Sequence, residues 1–313
     1  MILRRRNLEL FFERHQRGNT TSATTHTALQ YKMRTHFILN DVLAATLATA
    51  GPIVKRAGHN DYSCRSETNP NPVVLLHGLG ATYYEDINIL ESYLQTQGFC
   101  TFSLTYGAYP GFPFVGGLKA IKESSVEIAN FVKSVKQKTG AAKVDLVGHS
   151  EGAFQTLYVT KFGGVKDIIQ RVFAIAPPTH GTTFLSLYNV TDISPDLTRP
   201  LVDTILKTVG CAACSNLLPN GDAVAELTNG PIAQEGVSYT IVTSKNDQLV
   251  TPTTTSFVYE EGVRNLYVQD FCPLDPVGHI GEAYDQNVME LVRNALRDDL
   301  AGPEVCVLGF PGK

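Results

Sequence analysis

The chain has 313 residues, 43% of them hydrophobic and 18% charged, which is enough for one large core or two modest ones. Its formal net charge of −4 is unevenly spread: residues 1–56 carry nine Lys and Arg against three Asp and Glu, and the remainder carries 17 against 27. An acidic body of this kind lacks the basic face with which proteins bind nucleic acid, so that class of partner is excluded.

Residues 1–56 are not typical of a folded domain. A start-like pattern begins at Met33, where a basic residue precedes a mostly apolar stretch over 37–50 that ends in the small-residue triplet Ala-Thr-Ala. The Lys-Arg pair at 55–56 then offers a site for removing a propeptide. We therefore expect a signal peptide and propeptide over 1–56, followed by a secreted, extracellular domain over 57–313. The alternative is an amphipathic helix behind a disordered leader.

Two further features of the sequence fit a secreted protein without a membrane anchor. Asn40 and Asp41 interrupt the apolar stretch, and a transmembrane helix needs about 20 apolar residues, so we expect none. Six cysteines, an even number, follow the leader and suit an oxidising compartment: Cys64, Cys100, Cys211, Cys214, Cys272 and Cys306. Cys211-x-x-Cys214 could also be half of a zinc site, but the nearest downstream histidine is His279, so a local disulfide fits better.

The segments after the leader alternate between strand-like and helix-like patterns. Short apolar runs predict strands over 73–77, 99–104, 144–147, 170–176, 237–243 and 265–269. Apolar residues at helical spacing predict helices over 86–97, 118–139, 152–161 and 281–298. This alternation indicates an α/β fold with a mostly parallel sheet that is covered by helices on both faces. Residues 183–232 break the rhythm, and we interpret them as a small cap inserted over the sheet.

The strongest motif is Gly148-His149-Ser150-Glu151-Gly152, an instance of G-x-S-x-G. It follows a predicted strand and opens a predicted helix, which is the context of the sharp turn that lifts a nucleophilic serine clear of a sheet. This turn is the nucleophile elbow of the α/β-hydrolase fold, so Ser150 is the predicted nucleophile. The alternative is a surface turn with a spare serine.

A serine hydroxyl needs a base, and in this fold the acid and then the histidine follow the serine along the chain. Two histidines lie downstream of Ser150. His279 lies in a loop before the last predicted helix and is the predicted base, whereas His180 follows a strand end and is interpreted as lining the site from the edge of the cap. His149 and His77 flank glycines and are interpreted as structural.

Asp247 is the predicted acid, because it follows the strand predicted over 237–243. Asp275 lies only four residues before His279, too close along the chain to orient the ring from the side opposite the serine. In this role Asp247 holds the imidazole tautomer and stabilises the imidazolium without itself becoming protonated.

The segment His77-Gly78-Leu79-Gly80 follows the first predicted strand and is predicted to form half of an oxyanion hole. Its donors would be the backbone N–H groups of Leu79 and Glu151, aimed at the charge that develops on a reacting carbonyl oxygen. A plain glycine turn is the alternative for this segment.

Six segments, in chain order, resemble the secreted class 2 lipases of bacteria and fungi: PNPVVLLHGLG, AAKVDLVGHSEG, APPTHGTT, CAAC, VSYTIVTSKNDQLVTP and QDFCPLDPVGH. The similarity runs from about residue 69 to residue 299. It implies hydrolysis of acylglycerols or simpler carboxylic esters, with Ser150, Asp247 and His279 at the triad positions of the family.

The same resemblance implies three disulfides, which are Cys64–Cys100, Cys211–Cys214 and Cys272–Cys306. Glu151 departs from the family pattern, because relatives often carry Gln at this position. Only its backbone N–H enters the mechanism, so a charged side chain near the acyl site would affect substrate preference and not activity.

We therefore expect a two-step acyl transfer on a lipid or small ester substrate, in solution or at a lipid–water interface, with no metal or organic cofactor. The alternatives are a short-chain carboxylesterase or polyester hydrolase and, from another class, an inactive homologue that binds an ester-like ligand. Apolar cap residues are expected to line an acyl pocket or to meet a lipid surface. Asn189 begins the sequon Asn-Val-Thr and is the predicted glycosylation site of a secreted product.

Overall fold

The computed structural model describes residues 58–183, 210–299 and 301–312. Within these ranges six strands form one sheet: β1 (Val73–Leu76), β2 (Thr101–Ser103), β3 (Val144–His149), β4 (Ile169–Ile175), β5 (Ser238–Thr243) and β6 (Val263–Tyr267). Their order is β2-β1-β3-β4-β5-β6, and all neighbours pair in parallel. The predicted parallel sheet is confirmed. The predicted leader, Asn189 and most of the predicted cap lie outside the described residues.

Helices cover both faces of this sheet. The described ranges contain α1 (Asn88–Thr96), α2 (Ile121–Thr139), α3 (Glu151–Phe162), α4 (Ala212–Asn216), α5 (Asp222–Thr228) and α6 (Gln286–Leu296). Side chains alternate along a strand, so Val74 and Leu76 of β1 pack in one cluster with α2 and α3, whereas Val73 and Leu75 pack in another with α1 and α6. None of these helices is long and apolar enough to cross a membrane.

The described second half of the predicted cap packs into the body of the domain. Leu217 and Leu227 are buried in the cluster that contains α2 and α3. The backbone N–H of Ile121 donates to Asn216 Oδ1 at 3.1 Å, which ties α4 to the start of α2. The helices α4 and α5 are therefore anchored to the main core. The cap is also expected to line an acyl pocket or to meet a lipid surface, and that expectation rests on residues 184–209, outside the described ranges.

Three disulfides join the six cysteines and leave no free thiol among them: Cys64–Cys100, Cys211–Cys214 and Cys272–Cys306. These are the pairs that the resemblance implies. The bridge within Cys211-x-x-Cys214 also removes the two thiolates that a zinc site would need. The third bridge fastens the C-terminal segment to the chain just before His279, whose loop is part of the candidate site.

Candidate active site

Ser150 lies in a strained turn between the end of β3 and the start of α3. Its backbone has φ 54° and ψ −119°, a region that costs a residue with a Cβ about 1–3 kcal/mol. The turn is closed so tightly that a Cβ on Gly148 would lie 2.3 Å from the carbonyl oxygen of Gly152. A Cβ on Gly152 would lie 2.2 Å from the carbonyl oxygen of Leu76 in β1. The two glycines are therefore what allows Ser150 to stand clear of the sheet.

The loops after β5 and β6 bring Asp247 and His279 to this serine. His279 Nε2 lies 2.8 Å from Ser150 Oγ, and His279 Nδ1 lies 2.7 Å from Asp247 Oδ2. The other carboxylate oxygen of Asp247 accepts the backbone N–H groups of Leu249 and Val250 at 2.7 and 2.9 Å. Because an ionised carboxylate only accepts, His279 donates through Nδ1, and its Nε2 is left to accept the serine proton.

Asp275 has other partners. Its Oδ1 accepts the backbone N–H groups of Val277 and Gly309, and its Oδ2 accepts the side-chain amide of Asn287 at 2.6 Å. These contacts tie the loop of His279 to the C-terminal segment and to α6. Asp275 thus holds the loop, whereas the ring of His279 is bonded to Asp247.

The two predicted oxyanion donors lie next to residues that are in contact, because a Cβ on Gly78 would lie 3.3 Å from Ser150 Cβ. The N–H groups of Leu79 and Glu151 donate to no other group of the described chain. The next residue, Gly80, is bonded through its N–H to the carbonyl of Gly116 at 3.0 Å, and the N–H of Gly116 donates to Ala81 at 2.8 Å. The loop that contains Gly116 therefore braces the segment that carries Leu79. This brace was not predicted from the sequence, although the Gly-Gly pair at 116–117 is a usable signal for a tight loop.

The side chain of Glu151 is buried against the loop that contains Gly117. The carboxyl group is fully buried, and a Cβ on Gly117 would lie 2.3 Å from its Oε2. Burial raises the pKa of Glu151 well above its ordinary value of 4.5, and an interaction with Gln155 offsets only part of that rise. Burial therefore favours the protonated, neutral form of this carboxyl group.

Replacing Glu151 with Gln tests whether this carboxyl is protonated in the folded protein. Because the folded pKa is raised, the folded chain keeps a proton that the unfolded chain loses, so wild-type stability falls as pH rises above the unfolded pKa of about 4.5. We expect Glu151→Gln to gain about 1.4 kcal/mol of unfolding free energy relative to wild type per pH unit above that value, until the folded pKa is passed.

Urea unfolding of both proteins at several pH values between about 4 and 8 measures this difference. Glu123→Gln, at an exposed position in α2, is the control and should leave the pH dependence unchanged. A Glu151→Gln difference that stays constant with pH would mean that the carboxyl is ionised in the folded protein.

His77 is held as a neutral structural residue. Its ring stacks on Tyr106 with centroids 4.3 Å apart, and Nδ1 lies 2.8 Å from the carbonyl oxygen of Gly78. The backbone N–H of Tyr106 donates to Nε2 at 3.2 Å, and the tyrosine hydroxyl donates to the carbonyl of His77. Burial lowers the pKa of His77 to about 4. His180 is exposed, with Nδ1 3.0 Å from the carbonyl oxygen of Thr255.

Comparison with known proteins shows the family. The family model described as lipase (class 2) matches residues 70–279, which is more than half of the chain. Two relatives named triacylglycerol lipase, from Pseudarthrobacter phenanthrenivorans and Burkholderia plantarii, are each 28% identical over 173 residues, or 52% of this chain. The match covers 51% and 45% of those proteins, so the chain spans about half the length of the curated relatives it matches.

Two solved structures share the fold. Aspergillus fumigatus lipase B is similar over 80% of this chain and 56% of its own, with 19% identity and a TM-score of 0.58. Bacillus licheniformis lipase BlEst2 in its propeptide form is similar over 78% of this chain and 54% of its own, with 15% identity and a TM-score of 0.54. The chain belongs to the class 2 lipase family and has the α/β-hydrolase fold.

Proposed function

We propose that this protein is a carboxylic ester hydrolase that works through an acyl-enzyme intermediate on Ser150. The observation that carries the proposal is the unbroken hydrogen-bond chain from Asp247 through His279 to Ser150. Its two distances are 2.7 Å from His279 to Asp247 and 2.8 Å from His279 to Ser150. A nucleophile, a base and an orienting acid in this order are the parts that acyl transfer requires.

The first step attaches the acyl group to the serine. Ser150 Oγ attacks the ester carbonyl while its proton passes to His279 Nε2, and the imidazolium that forms is stabilised by Asp247. As the tetrahedral intermediate collapses, His279 returns the proton to the leaving alcohol. A water molecule that is deprotonated by the same histidine then attacks the acyl-enzyme and releases the carboxylic acid.

The charge on the tetrahedral intermediate needs donors that are already in place. The backbone N–H groups of Leu79 and Glu151 have no other acceptor among the described residues, and they lie on the two segments that flank Ser150. Losing one such donor typically lowers turnover by about 10²–10³. These donors are backbone groups, so their position depends more on the contacts that hold the backbone in place than on the side chains of the same residues.

Acylglycerols are the proposed substrates. The two bacterial relatives that are named triacylglycerol lipase support this class. A short-chain carboxylesterase or polyester hydrolase would use the same chemistry and differ only in the acyl and alcohol groups it accepts. An inactive homologue would bind an ester without turning it over.

One chain-length series separates these functions. We expect turnover of p-nitrophenyl esters to increase from acetyl to medium-chain acyl groups, and emulsified tributyrin to be hydrolysed. Equal rates on acetyl and medium-chain esters, with no hydrolysis of the emulsion, would favour the short-chain esterase. Absence of turnover on every ester would favour the inactive homologue.

We also propose that the domain is secreted after removal of the leader. Three disulfides support this, since such bonds persist in oxidising compartments. The secreted product is expected to begin near Ala57 and to show no free thiol when denatured, as measured by N-terminal sequencing and thiol titration. An intact leader on the exported protein would contradict processing, and titratable thiols would contradict folding in an oxidising compartment.

A further inference from the structure

A second buried Asp–His pair lies against the candidate triad, and the proposed mechanism does not use it. His149 Nδ1 lies 3.0 Å from each carboxylate oxygen of Asp86, which comes from the loop before α1. On the other side of the ring, Nε2 lies 2.9 Å from the backbone carbonyl oxygen of His279. His149 is only 2% exposed and Asp86 only 6% exposed, so the pair is largely shielded from solvent.

The partners of this pair indicate that it is ionised. A carbonyl oxygen can only accept, so His149 must donate through Nε2 to His279. Asp86 also accepts the backbone N–H of Gly78 at 2.6 Å, which favours its carboxylate form, and a carboxylate can only accept from His149 Nδ1. With a proton on each nitrogen, the ring of His149 is an imidazolium.

The surrounding charges act in the same direction. Burial opposes both charges, but the attraction between them outweighs it, so the pKa of His149 is raised and that of Asp86 is lowered. Asp247 also favours the charged form of His149, whereas His77, a titratable neighbour of Asp86, is neutral near pH 7 because burial lowers its pKa to about 4. The ring of His279 is the remaining titratable neighbour, with its centroid 5.0 Å from that of His149.

The pair contacts all three parts of the candidate site. Gly78, which donates to Asp86, directly precedes Leu79, one of the two proposed oxyanion donors. His149 directly precedes Ser150 and holds the backbone of His279. The packing leaves little room for adjustment, because a Cβ on Gly78 would lie 3.3 Å from Ser150 Cβ and 3.5 Å from His149 Nδ1.

We propose that Asp86 and His149 are positioning residues, which hold the oxyanion segment and the loop of His279 in register with Ser150. This inference rests on the proposed function. Desolvation offsets much of the attraction within a buried ion pair, so such a pair is a weak source of stability. A positioning role therefore accounts better for an Asp–His pair at this location in the site. Catalysis is sensitive to such register, since a misplacement of about 1 Å can cost about 10²-fold in rate.

The pair also has an electrostatic consequence for the base. His279 becomes an imidazolium during the reaction, beside a ring that is already positive. The Asp86 carboxylate balances that charge and limits the repulsion between the two rings. Asp86→Asn removes the balancing charge while keeping an oxygen that can accept the N–H of Gly78. The variant therefore tests the effect of the carboxylate charge while the size of the side chain stays nearly the same.

The kinetic test compares Asp86→Asn and His149→Gln with a variant that breaks another buried ion pair, away from the candidate site. We expect each variant to lower kcat on a soluble p-nitrophenyl ester about 10-fold to 100-fold, with KM changed less than about threefold, since ground-state binding is not altered. Labelling of Ser150 by a fluorophosphonate should slow in parallel. The control is Asp145→Asn, which breaks the buried ion pair with Arg171 at the other end of β3 and should lower the melting temperature without changing kcat.

A spectroscopic readout does not depend on turnover. In histidine-labelled wild-type protein near pH 7, the ¹⁵N spectrum should show the His149 ring with protons on both nitrogens, assigned by its loss in His149→Gln. A neutral His149 would overturn the inference, and so would variants whose kcat matches that of Asp145→Asn. If the wild type turned over no ester, the proposed function would fail, and the spectrum would still decide whether the pair is ionised.

Discussion

Replacing Ser150 with Ala is expected to lower ester turnover by about 10³-fold to 10⁶-fold, to the level that binding and oxyanion donors alone supply. Alanine keeps the Cβ and removes only the hydroxyl, whose described partner is His279 Nε2 at 2.8 Å. The fold and the melting temperature should therefore change little. The measurement is kcat/KM on a p-nitrophenyl ester, together with circular dichroism.

Covalent labelling gives the independent check on the same residue. An alkyl fluorophosphonate should add one label to wild-type protein, on the peptide that contains Ser150, and none to Ser150→Ala. Ser63→Ala, at a hydroxyl that donates to Asp61 in the N-terminal part of the domain, should keep both the label and the turnover. A label found on any other serine would remove Ser150 from the mechanism.

Replacing Asp247 with Asn is expected to lower turnover by at least about 10²-fold, because the amide can donate to His279 and favour the wrong ring tautomer. The same change in a serine protease costs about 10⁴-fold. Labelling of Ser150 should slow in parallel, since it needs the same base. The backbone contacts to Leu249 and Val250 can be kept by the amide oxygen, so the loop should remain in place.

Asp275→Asn is the matched control, since this carboxylate is equally buried and lies in the loop of His279. Its partners are Val277, Gly309 and Asn287. We expect less than about a tenfold loss of turnover and a clear loss of stability, because a buried network is disturbed while the ring keeps its acid. Reversed results for the two variants would assign the acid to Asp275.

The local features of the fold could be predicted from the sequence. Apolar runs of strand length placed β1, β3, β4 and β5 within one or two residues, and the end of α2 followed from its C-terminal glycine, which caps the helix at φ 70°. Boundaries were less accurate where the pattern is weak. The edge strand β6 is only half buried, and it begins and ends two residues before the predicted range. The last helix begins at Gln286, because Asp285 caps it through the N–H of Val288.

The candidate triad was also predictable, since a nucleophile elbow and the chain order of its partners are encoded in short segments. Tertiary structure decided which buried groups carry charge. Asp86 and His149 are 63 residues apart, and Glu151 adjoins both the nucleophile and the core. No local pattern therefore shows that each member of the pair favours the charge of the other, whereas burial raises the pKa of the glutamate. Ionisation depends on desolvation and on the partners that the fold supplies, and those partners come from distant parts of the chain.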